Sequence, residues 1–408
     1  MFRNDDPIMH SETALIETLA ISLAFAFVGG FIAARLRLPP LVGYLLAGIA
    51  VGPFTPGLVV DVHLAPQLAE VGVILLMFGV GMHFSVKDLL AVRAIAVPGA
   101  VAQIAVATTL GTGVALAWGW SVGAGLVFGL ALSVASTVVL LRQLEARGNL
   151  KSQDGQIAVG WLVVEDLAMV LTLVLLPALA GVLGGNAADA GHGTAPTNLW
   201  MALALTLGRV VLFVFLILLV GPRVVPWLLK QVERTGSREL FTLAVIALAL
   251  GVAFGSAELF GVSFALGAFF AGMVINESDL SHRAATDLQP LQDAFAVLFF
   301  VAVGMLFDPT ILIREPFRVL VVVAIIVVGK FLTAMGIVLA LRYPMGTALT
   351  VSAALSQIGE FSFILVGMGI ALGLLPAEGR DLVLAGALLS ITLNPLVFRV
   401  VSKRKPAQ

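Results

Sequence analysis

The chain has 408 residues, 60% hydrophobic and only 12% charged, with a mean hydropathy of +1.08 and a formal net charge of -1. Soluble globules are about a quarter charged, so this composition excludes one and points to a protein that crosses a membrane many times. The lack of cysteine excludes a disulfide framework, a thiol nucleophile and a cysteine-based metal site, and with no basic stripe a nucleic-acid partner is not expected.

The polar start "MFRNDDPIMHSE" lacks the basic segment and small-residue cleavage site of a signal peptide. A helix needs roughly 20 apolar residues to cross the hydrocarbon core, and cutting the chain at charges, Pro and Gly clusters gives about thirteen spans. In chain order these are 12–34, 40–54, 66–84, 94–118, 121–141, 156–183, 199–229, 239–259, 261–276, 289–307, 317–341, 345–373 and 380–401. The second and ninth are short for a perpendicular crossing. The pair over 239–276 is split only at "ELFGVS".

Basic residues are retained on the cytoplasmic side and set the orientation. With the N-terminus outside, the inner segments hold most of the basic residues, from Arg35 and Arg37 to Lys403, Arg404 and Lys405. The outer ones hold Arg3, Arg314, Arg318 and Arg380. The C-terminal "VSKRKPAQ" is then cytoplasmic, and the polar "GGNAADAGHGTAPTN" is an external connector dividing the chain near its middle. The expected organisation is a single transmembrane domain over 1–408. It comprises a first repeat over 1–183, a linking helix over 199–229 and a second repeat over 239–402, with no soluble domain in this chain.

An Asp or Lys at a helix centre costs about 2.5–3.5 kcal/mol on insertion, so intramembrane ions are functional candidates. The sixth span, "GWLVVEDLAMVLTLVLLP", carries Glu165 and Asp166 near its middle. Neighbours on a helix point about 100° apart, so the two carboxyls face different surroundings and need not share a task. Lys330, the one lysine deep in a span, is a natural counter-ion for one of them, and two acids against one base leave a surplus carboxylate.

The fifth span, "LALSVASTVVLL", places Ser133, Ser136 and Thr137 at mid-depth. The twelfth, "SAALSQIGEFSFIL", places Ser352, Ser356, Gln357, Gly359, Glu360 and Ser362 there. Paired interruptions in corresponding helices of two halves point to a transporter site. Ser and Thr can also bond the carbonyl four residues back without breaking a helix, so the fifth span alone reads either way.

Four further ions have bland readings. Glu70, heading the third span, reads as an interfacial or capping acid, with gating as the alternative. Asp293 is expected close to the start of its helix, complementing the dipole. Glu258 meets water, and Arg209 can snorkel. The histidines His10, His63, His83, His192 and His282 show no ligand spacing, so no metal site or cofactor is expected. Small residues in "LVGYLLAGIAVGP", "AEVGVILLMFGVGM" and "FALGAFFAGMVI" read as close helix-packing seams.

Taken in order, "LPPLVGYLLAGIAVGP", "LAEVGVILLMFGVGMHFS", "LALSVASTVVLLRQLEARG", "GWLVVEDLAMVLTLVLLP", "GVSFALGAFFAGMVINES", "FFVAVGMLFDP" and "LSQIGEFSFIL" span nearly the whole chain. In this set the sequence resembles the second branch of the monovalent cation:proton antiporters, the Kef- and YbaL-like potassium/proton antiporters. The resemblance implies an all-α polytopic fold of about thirteen helices. It has inverted repeats, two crossed interrupted helices (five and twelve), a moving core of helices four to six and eleven to thirteen, and a homodimer scaffold.

The resemblance also implies that Asp166 is the ion- and proton-binding aspartate and Lys330 the basic residue of helix eleven, its salt-bridge partner being Glu165. Ser136 and Thr137 fall in the first interruption and Gln357 through Glu360 in the second. Kef-type proteins have Gln before the aspartate and electrogenic sodium antiporters Asp or Asn, whereas this chain has Glu165, which leaves ion selectivity and stoichiometry open. Kef-type members also carry a cytoplasmic nucleotide-binding regulatory domain. Either this member works without one, or the domain lies beyond this chain.

The expected activity is exchange of a monovalent cation, potassium ahead of sodium, for H+ across a bacterial inner membrane, with lipid around it. Helix-end carbonyls with Ser136, Thr137 and Gln357 would complete the ion's oxygen ligands. An intramembrane aspartyl enzyme would need acids on two facing helices. A channel would need rings of acids or a filter-like loop. An organic-anion symporter would not keep both the acid pair and Lys330.

Overall fold

The computed structural model describes residues 9–55, 64–83, 86–145, 147–150, 152–185 and 199–402. His63, Lys151 and His192, the connector over 186–198 and the ends 1–8 and 403–408 lie outside the described residues, as do the side chains of His10, His83 and Arg142.

The described elements are all helical. They begin with α1 (Met9–Arg35), α2 (Pro40–Val51), α3 (Leu64–His83), α4 (Val86–Ala117), α5 (Val122–Ser133), α6 (Thr137–Glu145), α7 (Gln153–Leu179) and α8 (Leu199–Glu233). Next come α9 (Arg238–Phe260), α10 (Phe264–Asn276), α11 (Ser281–Met305), α12 (Ile311–Arg314) and α13 (Pro316–Ala324). A π-helical turn over Ile325–Gly329 then leads into α14 (Lys330–Ala340), followed by α15 (Met345–Leu355), α16 (Glu360–Ala371) and α17 (Ala377–Ser402).

Each of the thirteen expected spans falls on helix. By length and composition, nine stretches among the described residues can cross a bilayer, and α15 with α16, bent by 43° at their break, makes a tenth. The remaining apolar helices, Pro40–Val51, Gln67–Met82 and Phe264–Asn276, are shorter. Twelve residues of α2 rise only about 18 Å against a hydrocarbon core of about 30 Å.

Three helices outrun their apolar cuts by a full turn or more: α4 begins at Val86, α8 runs on to Glu233, and α11 begins at Ser281. Hydropathy marks where lipid ends, whereas backbone hydrogen bonding continues into water. This corrects the expectation for Asp293, which lies about three turns into α11. It is exposed and too far along to complement the N-terminal dipole.

The chain divides into two compact units. The first holds Met1–His83, Leu216–Gly255 and Phe264–Pro309. Its helices meet along the glycine seams: a Cβ on Gly43 would sit 2.2 Å from the Gly29 carbonyl, and one on Gly272 2.1 Å from that of Phe78. At one edge Arg238 pairs with Asp287 at 2.9 Å, while Arg283 lies over the Phe241 ring, 4.3 Å from its centroid.

The second unit holds Phe84–Phe215, Ser256–Ser263 and Thr310–Gln408. Its core joins Ile95 and Ala100 of α4, Leu140 of α6, Trp161 and Leu162 of α7, Ala334 of α14 and Val351 of α15. Each fully buried side chain of this size is worth about 1.5–3 kcal/mol where water is the alternative. In a bilayer, contact and close packing replace much of that term. Trp118, Trp120 and Phe128 stack edge to face, and Arg318 of α13 sits over Trp118 while pairing with Glu378 of α17. Both helix breaks belong to this second unit.

Candidate functional site

The first break covers residues 134–136 between α5 and α6, and the second covers 356–359 between α15 and α16. In a continuous helix the N–H groups of Ala135 and Ser136 would donate four residues back. Here Ala135 N–H donates to Glu165 Oε2 at 3.0 Å and Ser136 N–H to Gln357 Oε1 at 2.9 Å. Those side chains, reaching in from α7 and from the other break, hold the backbone out of helix and leave the last carbonyls of α5 without their usual donors. Ser136 Oγ then accepts from Val139 N–H at 3.3 Å and starts α6.

The second break answers the first. Gln357 Nε2 donates to the Ser136 carbonyl at 3.2 Å and to that of Ala354 at 3.4 Å. Gly359 passes so close that a Cβ there would lie 2.3 Å from Ser136 Cβ, which no side chain tolerates. Side-chain donors also reach the end of α15 and the break that follows it. Asn394 Nδ2 and Ser356 Oγ donate to the Ala353 carbonyl at 2.8 and 3.0 Å, and Lys330 Nζ donates to the Gln357 carbonyl at 2.9 Å.

Three acids and one base converge on these breaks, with Glu165 0%, Asp166 4%, Glu360 2% and Lys330 1% exposed. Glu360 opens α16 and accepts from Ser136 Oγ at 3.0 Å. Thr137 Oγ1 donates to Asp166 Oδ2 at 3.1 Å, while Asp166 Oδ1 is buried with no hydrogen-bond partner. Glu165 is surrounded by donors: besides Ala135 N–H, Gln103 Nε2 donates to Oε1 at 2.7 Å and Trp161 Nε1 to the same oxygen at 3.2 Å.

The structure thus places Asp166, Glu165, Ser136, Thr137, Gln357, Lys330 and Glu360 together in the second unit. Glu70 and Asp293 lie in the first unit, both exposed. The direct Glu165–Lys330 ion pair is not formed. Lys330 gives its hydrogen bond to a backbone carbonyl, and the two charges attract without touching. Ser133 Oγ back-bonds to the Leu130 carbonyl at 2.7 Å, a local satisfaction at the end of α5. Glu258 and Arg209 are both exposed.

Gln103, Trp161 and Asn394 are residues of this cluster that the sequence reading did not select. A signal existed for Gln103, a lone amide inside "AVPGAVAQIAVAT" and fully buried in the structure. An amide in an apolar span needs a partner as a charge does, but the partner here is 62 residues away.

A family model described as "Sodium/hydrogen exchanger, transmembrane" matches residues 23–404. YbaL of Escherichia coli (strain K12), named as a cation/proton antiporter, is 62% identical over 395 residues, covering 97% of this chain and 70% of its own length. "K(+) efflux antiporter 4" of Arabidopsis thaliana is 32% identical over 397 residues, and the chain spans 65% of that relative's length. The sodium proton antiporter MjNhaP1 from Methanocaldococcus jannaschii superposes with a TM-score of 0.73 over 96% of this chain and 99% of its own. At 16% identity that likeness speaks to the fold alone. With the match running over nearly its whole length, the chain belongs to the sodium/hydrogen exchanger family, a family of membrane antiporters and not of enzymes.

Proposed function

We propose that this protein exchanges a monovalent cation, potassium first, for a proton by alternating access, with the two ions competing for Asp166. One observation carries the reading: Asp166 Oδ1 is a buried carboxylate oxygen with no partner, beside two helix breaks that meet. A hard cation wants several oxygens at once. Asp166 Oδ1, Thr137 Oγ1 and the carbonyls released at the end of α5 supply them. At the second break the carbonyls of Ala353, Ala354 and Gln357 already accept from Asn394, Ser356, Gln357 and Lys330, which makes them poorer ligands.

A bound cation or a bound proton each neutralises the Asp166 carboxylate, and an uncompensated charge is costly to carry through the membrane. Potassium is supported by the plant relative named for potassium efflux. Sodium is the second reading, supported by the family's description. The distribution of basic residues supports an outside N-terminus and a cytoplasmic C-terminus in a bacterial inner membrane. The family resemblance supports a homodimer, the repeat division 1–183, 199–229 and 239–402, and a regulatory nucleotide-binding domain or subunit outside this chain.

The test is purified protein in liposomes with a pH-sensitive dye, adding potassium, sodium and lithium in turn. Asp166→Asn should abolish cation-dependent proton movement for every ion. Retention of wild-type exchange by that variant would remove the central claim.

A further inference from the structure

α4 and α7 face each other through two pairs of residues at the same spacing. In "GAVAQ", Gly99 and Gln103 lie one turn apart on α4, and in "WLVVE", Trp161 and Glu165 lie one turn apart on α7. Residues four apart share a helix face, so each pair presents a small or bulky member and a polar one in register. Gly99 makes room for the indole, since a Cβ there would lie 2.2 Å from Trp161 Cζ3. The ring so seated turns Nε1 onto Glu165 Oε1, and Gln103, one turn along, puts Nε2 on the same oxygen at 2.7 Å.

This leaves Glu165 Oε2 free to take one job, the Ala135 N–H in the first break, at 3.0 Å. The carboxylate is therefore a strut. One oxygen is anchored on α4 and within α7, and the other holds α5 from continuing into α6. The charged groups on the helices packed against α4 near this point are Glu165 and Asp166 of α7 and Lys330 at the head of α14. Lys330 is committed to the Gln357 carbonyl. The anchoring of Glu165 thus falls to neutral donors.

We propose that Gln103 is a positioning residue for exchange: seated by the Gly99–Trp161 contact, it fixes Glu165 so that Glu165 holds the first break open beside Asp166. Gln103 touches neither the cation nor the exchanging carboxylate. Its loss should slow turnover while leaving the cation's ligands in place. The inference rests on the exchange reading for its transport consequence, but the anchoring itself has a readout independent of transport.

Gln103→Met keeps the length and bulk of the side chain and removes the donor. In proteoliposomes it should lower the maximal exchange rate tenfold or more while the apparent cation KM stays within about twofold. Gln103→Glu donates only when protonated, so its exchange should approach wild type on the acid side and fall away on the alkaline side, a moved pH profile that a space-filling role would not give. A melting-temperature cycle with Glu165→Gln should show the two losses to be non-additive. Wild-type rates in Gln103→Met, an unmoved profile in Gln103→Glu, or additive melting losses would each overturn the assignment. Should Gln103→Met not fold, Gln103→Glu alone decides, by its pH profile. If Asp166→Asn keeps wild-type exchange, the exchange reading falls, while the melting cycle still judges the anchor.

Discussion

The decisive contrast at the residue scale is between two adjacent acids with opposite hydrogen-bond states. Glu165 accepts from Gln103, Trp161 and Ala135, whereas Asp166 accepts from Thr137 alone and keeps Oδ1 free. Position along α7 explains it, because neighbours about 100° apart look out at different helices. Glycine offers a sharp test of the contact between the breaks. Gly359→Ala would drive a methyl into Ser136, 2.3 Å away against backbone-proximal atoms, whereas a Cβ on Gly113 meets nothing within 4 Å. Gly359→Ala should lower the melting temperature and cut exchange more than tenfold. Gly113→Ala, exposed on α4, should leave exchange intact and gain about 0.5–1 kcal/mol of helix stability, read from the same melts. The existence of a special acid pair was legible from insertion cost alone. The difference in their hydrogen bonding was not, because Gln103 lies 62 residues away in sequence, and a lone amide does not name its partner.

At the element scale, interrupted helices need donors and acceptors from outside themselves, and the two breaks solve this differently. The end of α15 is closed by side-chain donors, with the ammonium of Lys330 on the Gln357 carbonyl. The π turn over Ile325–Gly329 immediately precedes Lys330 and sets the phase of α14, so that Lys330, Ala334 and Val338 all fall on its buried face. Lys330→Met should leave that carbonyl unpaired, at a cost of about 1–3 kcal/mol, and should also strip the acids of their counter-charge. The expected outcome is a lower melting temperature together with lost exchange; a variant that melts and transports like the wild type would refute the capping role. The sequence pointed to the second break through its Gln, Gly and Glu residues and left the first open, since Ser and Thr also suit an unbroken helix. It misjudged where α4, α8 and α11 end, because charged residues signal the lipid boundary while the helix continues past it. The Glu165–Lys330 pairing implied by the family resemblance remains an attraction without contact, because the Gln357 carbonyl takes the hydrogen bond of the ammonium.

On the scale of the whole molecule, the polar residues described around the breaks all belong to the unit built on Phe84–Phe215, Ser256–Ser263 and Thr310–Gln408. With Glu165 engaged by neutral donors, Asp166 is the acid at the breaks with a vacant buried oxygen, and one proton should replace one cation per cycle. Exchange measured with the membrane potential clamped should then be unchanged within about twofold between 0 and -100 mV. An extra charge per cycle would couple it to about 2.3 kcal/mol per 100 mV, and a steep voltage dependence would show that a second acid takes part. The reciprocal bonds of Ser136 and Gln357 have a mechanical consequence. Swinging the breaks apart would leave the Ser136 N–H and the buried Gln357 amide without these partners, at about 1–3 kcal/mol apiece. A flap-like opening is thereby penalised, and the two breaks behave as an interlocked joint. On the proposed exchange cycle, access to Asp166 should change at the surrounding helices while this joint stays closed.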